Sequence, residues 1–105
     1  MPQFDVYRNA DPASRASYPL LLDVQSNLLS ALNTRVVVPL RPMPAVKKQL
    51  MGNLTPALEI EAKAFAMLTP QLAGVSRKQL GPQVAHLGEQ RQAIIAALDF
   101  LITGI

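Results

Sequence analysis

Hydrophobic and polar positions change their period near residue 83, which predicts a β-rich body over about residues 1–82 and a helical tail over about 83–105, all in one domain. Gln3 to Arg8 alternates, with Phe4 and Val6 on one face and Gln3, Asp5 and Tyr7 on the other, the mark of a half-buried strand. The small, polar run from Asn9 to Ser17, interrupted by Pro12, predicts a mobile loop. Tyr18 to about Gln25 is apolar at Leu20, Leu21, Leu22 and Val24, as in a strand buried on both sides, with Pro19 near its start where a missing N–H does least harm. Ser26 then stands where it can cap a short turn over Asn27-Leu28-Leu29-Ser30. Thr34 to Leu40 holds three consecutive valines, whose branched Cβ favours extended chain, and predicts a third strand.

Pro39, Pro42 and Pro44 should end that pairing, leaving Arg41 to Met51 as a cationic connection. Strands are expected again at Ala57–Ile60 and Ala64–Leu68, joined by the polar turn Glu61-Ala62-Lys63, with one more extended piece at Val75–Leu80 between Gly74 and Gly81-Pro82. From Glu89 to Ile102 the residues Ile94, Ile95, Leu98, Leu101 and Ile102 recur at spacings of three and four, which predicts an amphipathic helix. Glu89 suits the positive end of its dipole, and Gly104 can adopt the left-handed conformation that ends it. The apolar finish Ile102-Thr103-Gly104-Ile105 points to residues docked in a core or kept for a partner.

Composition narrows the chemistry. With 105 residues, 50% hydrophobic and 16% charged, the chain can build one core and is not disordered. It has no cysteine and a single histidine, His86, so a thiolate site or a two-histidine metal site is excluded, and no cofactor is expected. No Gly-x-Ser-x-Gly elbow accompanies His86, which reads as a surface or partly buried structural residue. Glu59 and Glu61 share a strand face and fit the solvent side of a sheet better than an acid/base pair. The net charge of +3 is too small for strong phosphate binding, so Arg41 with Lys47 and Lys48, and Arg77 with Lys78, read as solvated charges without direct nucleic-acid readout. The most apolar stretch, Ala93 to Ile102, is too short to span a membrane and contains Asp99; with no signal peptide at the start, the expected location is cytoplasmic.

Four segments, in order, resemble the CcdB family: Gln3-Phe4 with Val6-Tyr7, then Asp23-Val24-Gln25-Ser26, then Arg35 to Leu40, and finally Gly104-Ile105 after an apolar helix. Members of that family are plasmid- or chromosome-borne toxins of type II toxin–antitoxin systems that poison DNA gyrase. The resemblance implies a mainly β fold with a carboxyl-terminal helix, a small SH3-like barrel of the CcdB/MazF kind, assembled as a homodimer. It implies action by binding and not by catalysis: the toxin occupies the dimerisation region of the gyrase A subunit and favours the state in which DNA is cleaved. The gyrase-facing positions that carry over are Phe4, Tyr7, Ser26, Leu28, Leu29, Asp99, Thr103, Gly104 and Ile105. Leu28 and Leu29 stand where other members have branched apolar residues, and Asp99 where asparagine can occur; core packing is the competing reading for Leu28, Leu29 and Ile102. Thr103 replaces a tryptophan of the best-known members and has no π-face with which to stack on an arginine. The family's antitoxin carries an acidic, disordered tail, for which Arg8, Arg15, Arg41, Lys47 and Lys48 are the expected cationic counterpart. Two other readings stay open: a MazF-like endoribonuclease using Arg15, or Arg35 with Thr34, and a paralogue that binds antitoxin without toxicity.

Overall fold

The computed structural model describes residues 2–29, 31–43 and 54–104. Lys47, Lys48 and Ile105 lie outside the described residues. The described chain forms strands β1 (Asp5–Asn9), β2 (Leu20–Asp23), β3 (Thr34–Pro42), β4 (Ala57–Ile60), β5 (Lys63–Met67), β6 (Ala73–Ser76) and β7 (Leu80–His86), followed by helix α1 (Arg91–Thr103). All pairings are antiparallel, in the order β4-β5-β3-β2-β1-β7, with β6 also on β3. The result is a half-barrel sheet with one helix across its end.

β3 organises this sheet because it serves three partners. One of its edges pairs with β2, while the other carries β6 along Thr34–Val37 and β5 along Leu40–Pro42. Pro39 falls between those two partners, so the strand continues through the proline instead of ending at it. Its C=O still accepts from Leu68 N–H at 3.0 Å, and the absent N–H lies where no strand needs it. Glu61 and Ala62 form a two-residue hairpin turn with φ of 51° and 66°, the positive pair of a type I′ turn, and Lys63 already belongs to β5, opposite Ile60.

The segment expected as a single extended piece, Val75–Leu80, is divided. β6 ends at Ser76, whose hydroxyl accepts Lys78 N–H at 3.2 Å to start a 3-10 turn over Arg77–Gln79, and β7 then runs on to His86. The expected boundary at residues 82–83 therefore lies inside β7. Gly81 and Pro82 are accommodated because β7 is an outer strand with register shifts against β1, where a missing N–H breaks no ladder. The loop after β1 is knit by hydrogen bonds and is not the loose connection its composition predicts. Asn9 Nδ2 donates to Ser14 Oγ (3.0 Å) and Tyr18 O (2.9 Å), and Asp11 accepts from Ala13 N–H and Ser14 Oγ.

Val6, Leu22, Val38, Leu40, Leu58 and Met67 from the sheet form the core with Leu87 and the helical Ile94 and Ala97. The helical stripe is buried only in its first half. Leu101 and Ile102 remain exposed.

Candidate functional site

The Asp-Val-Gln-Ser segment builds a rigid turn, each residue through a different interaction. Asp23 is fully buried at the end of β2, where its Oδ2 accepts from Arg35 Nε at 2.8 Å and lies 2.8 Å from Arg35 NH2, itself fully buried. Its Oδ1 accepts Gln25 N–H at 3.0 Å, so both oxygens of a desolvated carboxylate have partners, as a buried charge requires. Val24 enters the core, and the Gln25 amide bridges two elements, donating to Leu29 O (2.9 Å) and accepting from Val36 N–H (3.0 Å). Ser26 Oγ accepts Leu28 N–H at 3.1 Å, starting a 3-10 turn over Asn27–Leu29. Asn27 Oδ1 accepts Gln3 N–H at 2.6 Å, tying the turn to the amino-terminal segment. These bonds fix a turn whose leucines point out of the protein: Leu28 is 94% exposed and Leu29 half-exposed, which excludes their core reading.

A second exposed apolar surface ends α1. Gly104 takes φ 75°, which a side chain would resist, and its N–H closes the helix on Phe100 O at 3.0 Å. Thr103 Oγ donates back to Asp99 O at 2.7 Å, so the hydroxyl serves the last turn. Ile102, which is 78% exposed, and the partly exposed Phe100 and Leu101 line this end, with Asp99 exposed beside them. The leucine turn and the helix end lie on separate elements, with no hydrogen bond between them among the described residues.

Phe4 and Tyr7 do not belong to either surface, which corrects their assignment to a partner-facing set. Phe4 packs in the core at φ 73°, and its unusual backbone is held by N–H to Asp23 O (2.6 Å) and by its C=O from Leu87 N–H (2.8 Å). This left-handed residue also explains why β1 begins at Asp5. Tyr7 is buried on the other side of β1 beside Asp5, so both faces of this strand are covered. Its hydroxyl donates to Asp5 Oδ2 at 3.3 Å. Burial first, then the charges of Asp5 and Asp23 and the bond to Asp5, push the Tyr7 pKa above its ordinary value of 10.0. The other oxygen of the buried Asp5 carboxylate lies 2.7 Å from Nδ1 of the half-exposed His86, its register partner on β7. Gly88 makes room for this imidazole, since a Cβ there would stand 2.6 Å from Nε2. No spacing in the sequence foretells this pair; it comes from the pairing of the first and last strands.

The cations are distributed in two ways. Arg8 and Lys63 border an open groove of about 470 Å³ floored by Leu20, Ile60 and Phe65, with Glu61 on the same rim. Lys63 is missing from the expected set because the sequence places it in a turn. Arg41 is exposed, stacks at 5.0 Å on the Tyr18 ring and donates to Ser17 O, so its guanidinium is pre-positioned. Arg15 is exposed on the knit loop. Arg35, considered with Thr34 for the alternative endoribonuclease site, is buried against Asp23 while Thr34 is exposed, so the two do not form a common surface site. Among the described residues no group of three or more His, Asp or Glu could hold a metal, and no helix is long and apolar enough to cross a membrane.

This half-barrel with one terminal helix places the chain in the CcdB/MazF-like fold class. A solved structure described as an endoribonuclease in complex with its cognate antitoxin from mycobacterial species matches with a TM-score of 0.73 at 16% identity, over 94% of this chain and 91% of that chain. At that identity the likeness establishes the fold alone. The family follows from the sequence match: residues 3–104 fit the family model described as CcdB protein, and the chain belongs to the CcdB family, whose members are toxins of toxin–antitoxin systems.

Proposed function

We propose that the protein acts as a homodimer on the DNA gyrase A subunit, stabilising the state in which gyrase holds cleaved DNA, and that an acidic antitoxin segment neutralises it. The observation that carries this reading is the exposure of Leu28 and Leu29 on a turn fixed by its own hydrogen bonds, and of Ile102 in the last turn of α1. Large apolar side chains held outside a core are suited to a partner. The partner-facing set is therefore Ser26 as the capping residue, Leu28, Leu29, Asp99, Ile102, Thr103 and Gly104, with Ile105 carried from the family resemblance. Contact at the tail relies on aliphatic surface, since Thr103 offers no ring.

For the antitoxin, Arg8, Arg41 and Lys63 provide positive charge around or near an apolar groove, with Arg15 on the adjoining loop and Lys47 and Lys48 carried from the sequence. Incubating the protein with gyrase, supercoiled DNA and ATP should accumulate double-strand breaks on denaturation. Gly104→Glu should abolish this; no neighbouring atom lies within 4 Å of a Cβ there, so its structural cost is confined to the left-handed cap of α1, and circular dichroism should show the rest of the fold retained. Cleavage of RNA in the absence of gyrase, together with no effect on gyrase, would replace this reading with the ribonuclease one.

A further inference from the structure

The turn that carries Leu28 and Leu29 is fixed by its own hydrogen bonds, whereas the exposed end of α1 is held from a distance. The core takes Ile94 and Ala97, with Ile95 and Leu98 partly buried against it, and every described residue from Asp99 onward is exposed. The helix also touches the 3-10 turn at Thr69–Gln71. Ile102 lies twelve residues beyond Gln90, about 18 Å along the axis at the rise of an α-helix. A tilt of about 10° at the base of such a lever moves its tip by about 3 Å.

Gln90 stands at that base, closing the 3-10 turn Gly88–Gln90 and directly preceding α1. Its side chain does not cap the helix. It crosses to β4 instead, where Oε1 accepts Glu59 N–H at 2.9 Å and Nε2 donates to Glu59 O at 2.7 Å. This is the two-bond exchange of a neighbouring strand, and an amide side chain supplies its donor and acceptor together. Glu59 is exposed on an end strand and could take both bonds from water, so the sheet itself does not require this partner. Packing does not dictate it either, since Glu59 and Gln90 line two open grooves of about 610 and 460 Å³. What the bridge does accomplish is to join the two ends of the strand order, β4 directly and β7 through Leu87 and the turn that follows it.

We infer that Gln90 is the positioning residue of the helix-end surface: its amide clasps the β4 edge and sets the angle at which α1 carries Ile102 and Gly104 to the target. The role rests on the proposed gyrase reading and names the residue that holds this part of the surface in place. Side-chain ordering costs entropy, and here that cost is offset by a fixed helix base on the otherwise open side of the half-barrel.

Gln90→Met keeps the length and helix propensity of the side chain and removes both bonds. Residual dipolar couplings of the α1 and sheet amides, measured on the chain alone, should report a change of helix angle of about 5° or more, which displaces Ile102 by about 1.5 Å. Calorimetry against the gyrase A subunit should show binding weakened by about fivefold or more, as for a residue that acts without touching the partner. A clasp that only adds stability would lower the melting temperature and leave the couplings of Gln90→Met as in the unaltered chain, and that result would overturn the inference. A turned helix with unchanged affinity would overturn the positioning role. An unaltered chain that does not bind the A subunit would end the target reading on which that role rests, while the couplings, which need no partner, decide the clasp separately.

Discussion

Two neighbouring stretches reverse the usual distribution of polarity. At Asp23, Gln25 and Arg35 the polar groups are inside, while at Leu28 and Leu29, a few residues along, the apolar groups are outside. The buried polar residues are each hydrogen-bonded to named partners, and two of those partners, Gln25 N–H and Leu29 C=O, are backbone groups of the segment that carries the leucines. The interior polarity thus acts as a frame, and the exterior apolarity is what the frame presents. A buried ion pair is by itself weak evidence for stability, but removing one of its partners leaves an uncompensated buried charge.

The largest effect should come from breaking the frame. Arg35→Met leaves the Asp23 carboxylate buried without its cation and should lower the unfolding free energy by about 3–5 kcal/mol, measured by urea denaturation. Asp23→Leu combined with Arg35→Met should recover much of that loss, because two apolar side chains need no partner. The recovered protein should still bind its target poorly, since the Gln25 N–H has lost its acceptor and the turn its anchor. Full recovery of both stability and binding would show that the turn holds its shape without the ion pair.

Changes at the presented surface should behave in the opposite way. Leu28→Ser should shift stability by no more than about 0.5 kcal/mol, as exposed positions do, yet weaken binding to the gyrase A subunit by about tenfold or more if Leu28 is an anchor. Titration calorimetry against the isolated A subunit, paired with thermal unfolding, reads both quantities. A stability loss equal to the binding loss would make Leu28 a packing residue and erase the contrast with Arg35.

Much of this division is legible in the sequence, but only from one side. Ser26 followed by Asn27-Leu28-Leu29 announces a capped turn, and the valines of β3 and the stripe of α1 announce their elements, because these signals are local. Phe4 and Tyr7 mislead, since alternation distinguishes two faces without saying that both are buried; the second face is covered by a polar cluster that draws Asp5, Tyr7 and His86 from the two ends of the chain. Pro39 reads as a stop because the sequence does not show that its missing N–H falls in the gap between β5 and β6. The exposure of Ile102 is equally hidden, since the helical period continues past the point where the sheet ceases to cover it.

The smallest effect tests whether the Asp5–Tyr7 cluster belongs to the frame or only fills space beneath it. The Tyr7 pKa is raised in the folded state by burial and by Asp5, so the folded protein holds this proton after the unfolded chain has begun to release it. The stabilisation is then complete below about pH 10 and is lost as pH rises from there through the higher folded value. Tyr7→Phe removes the titrating group and one 3.3 Å hydrogen bond, at a cost of about 0.5 kcal/mol at neutral pH. Its unfolding free energy should fall less steeply above pH 10 than that of the unaltered chain, and target binding should not change. Equal alkaline slopes would mean that Tyr7 reaches solvent, and a loss of binding would extend the frame from the Gln25 turn across β1 to His86.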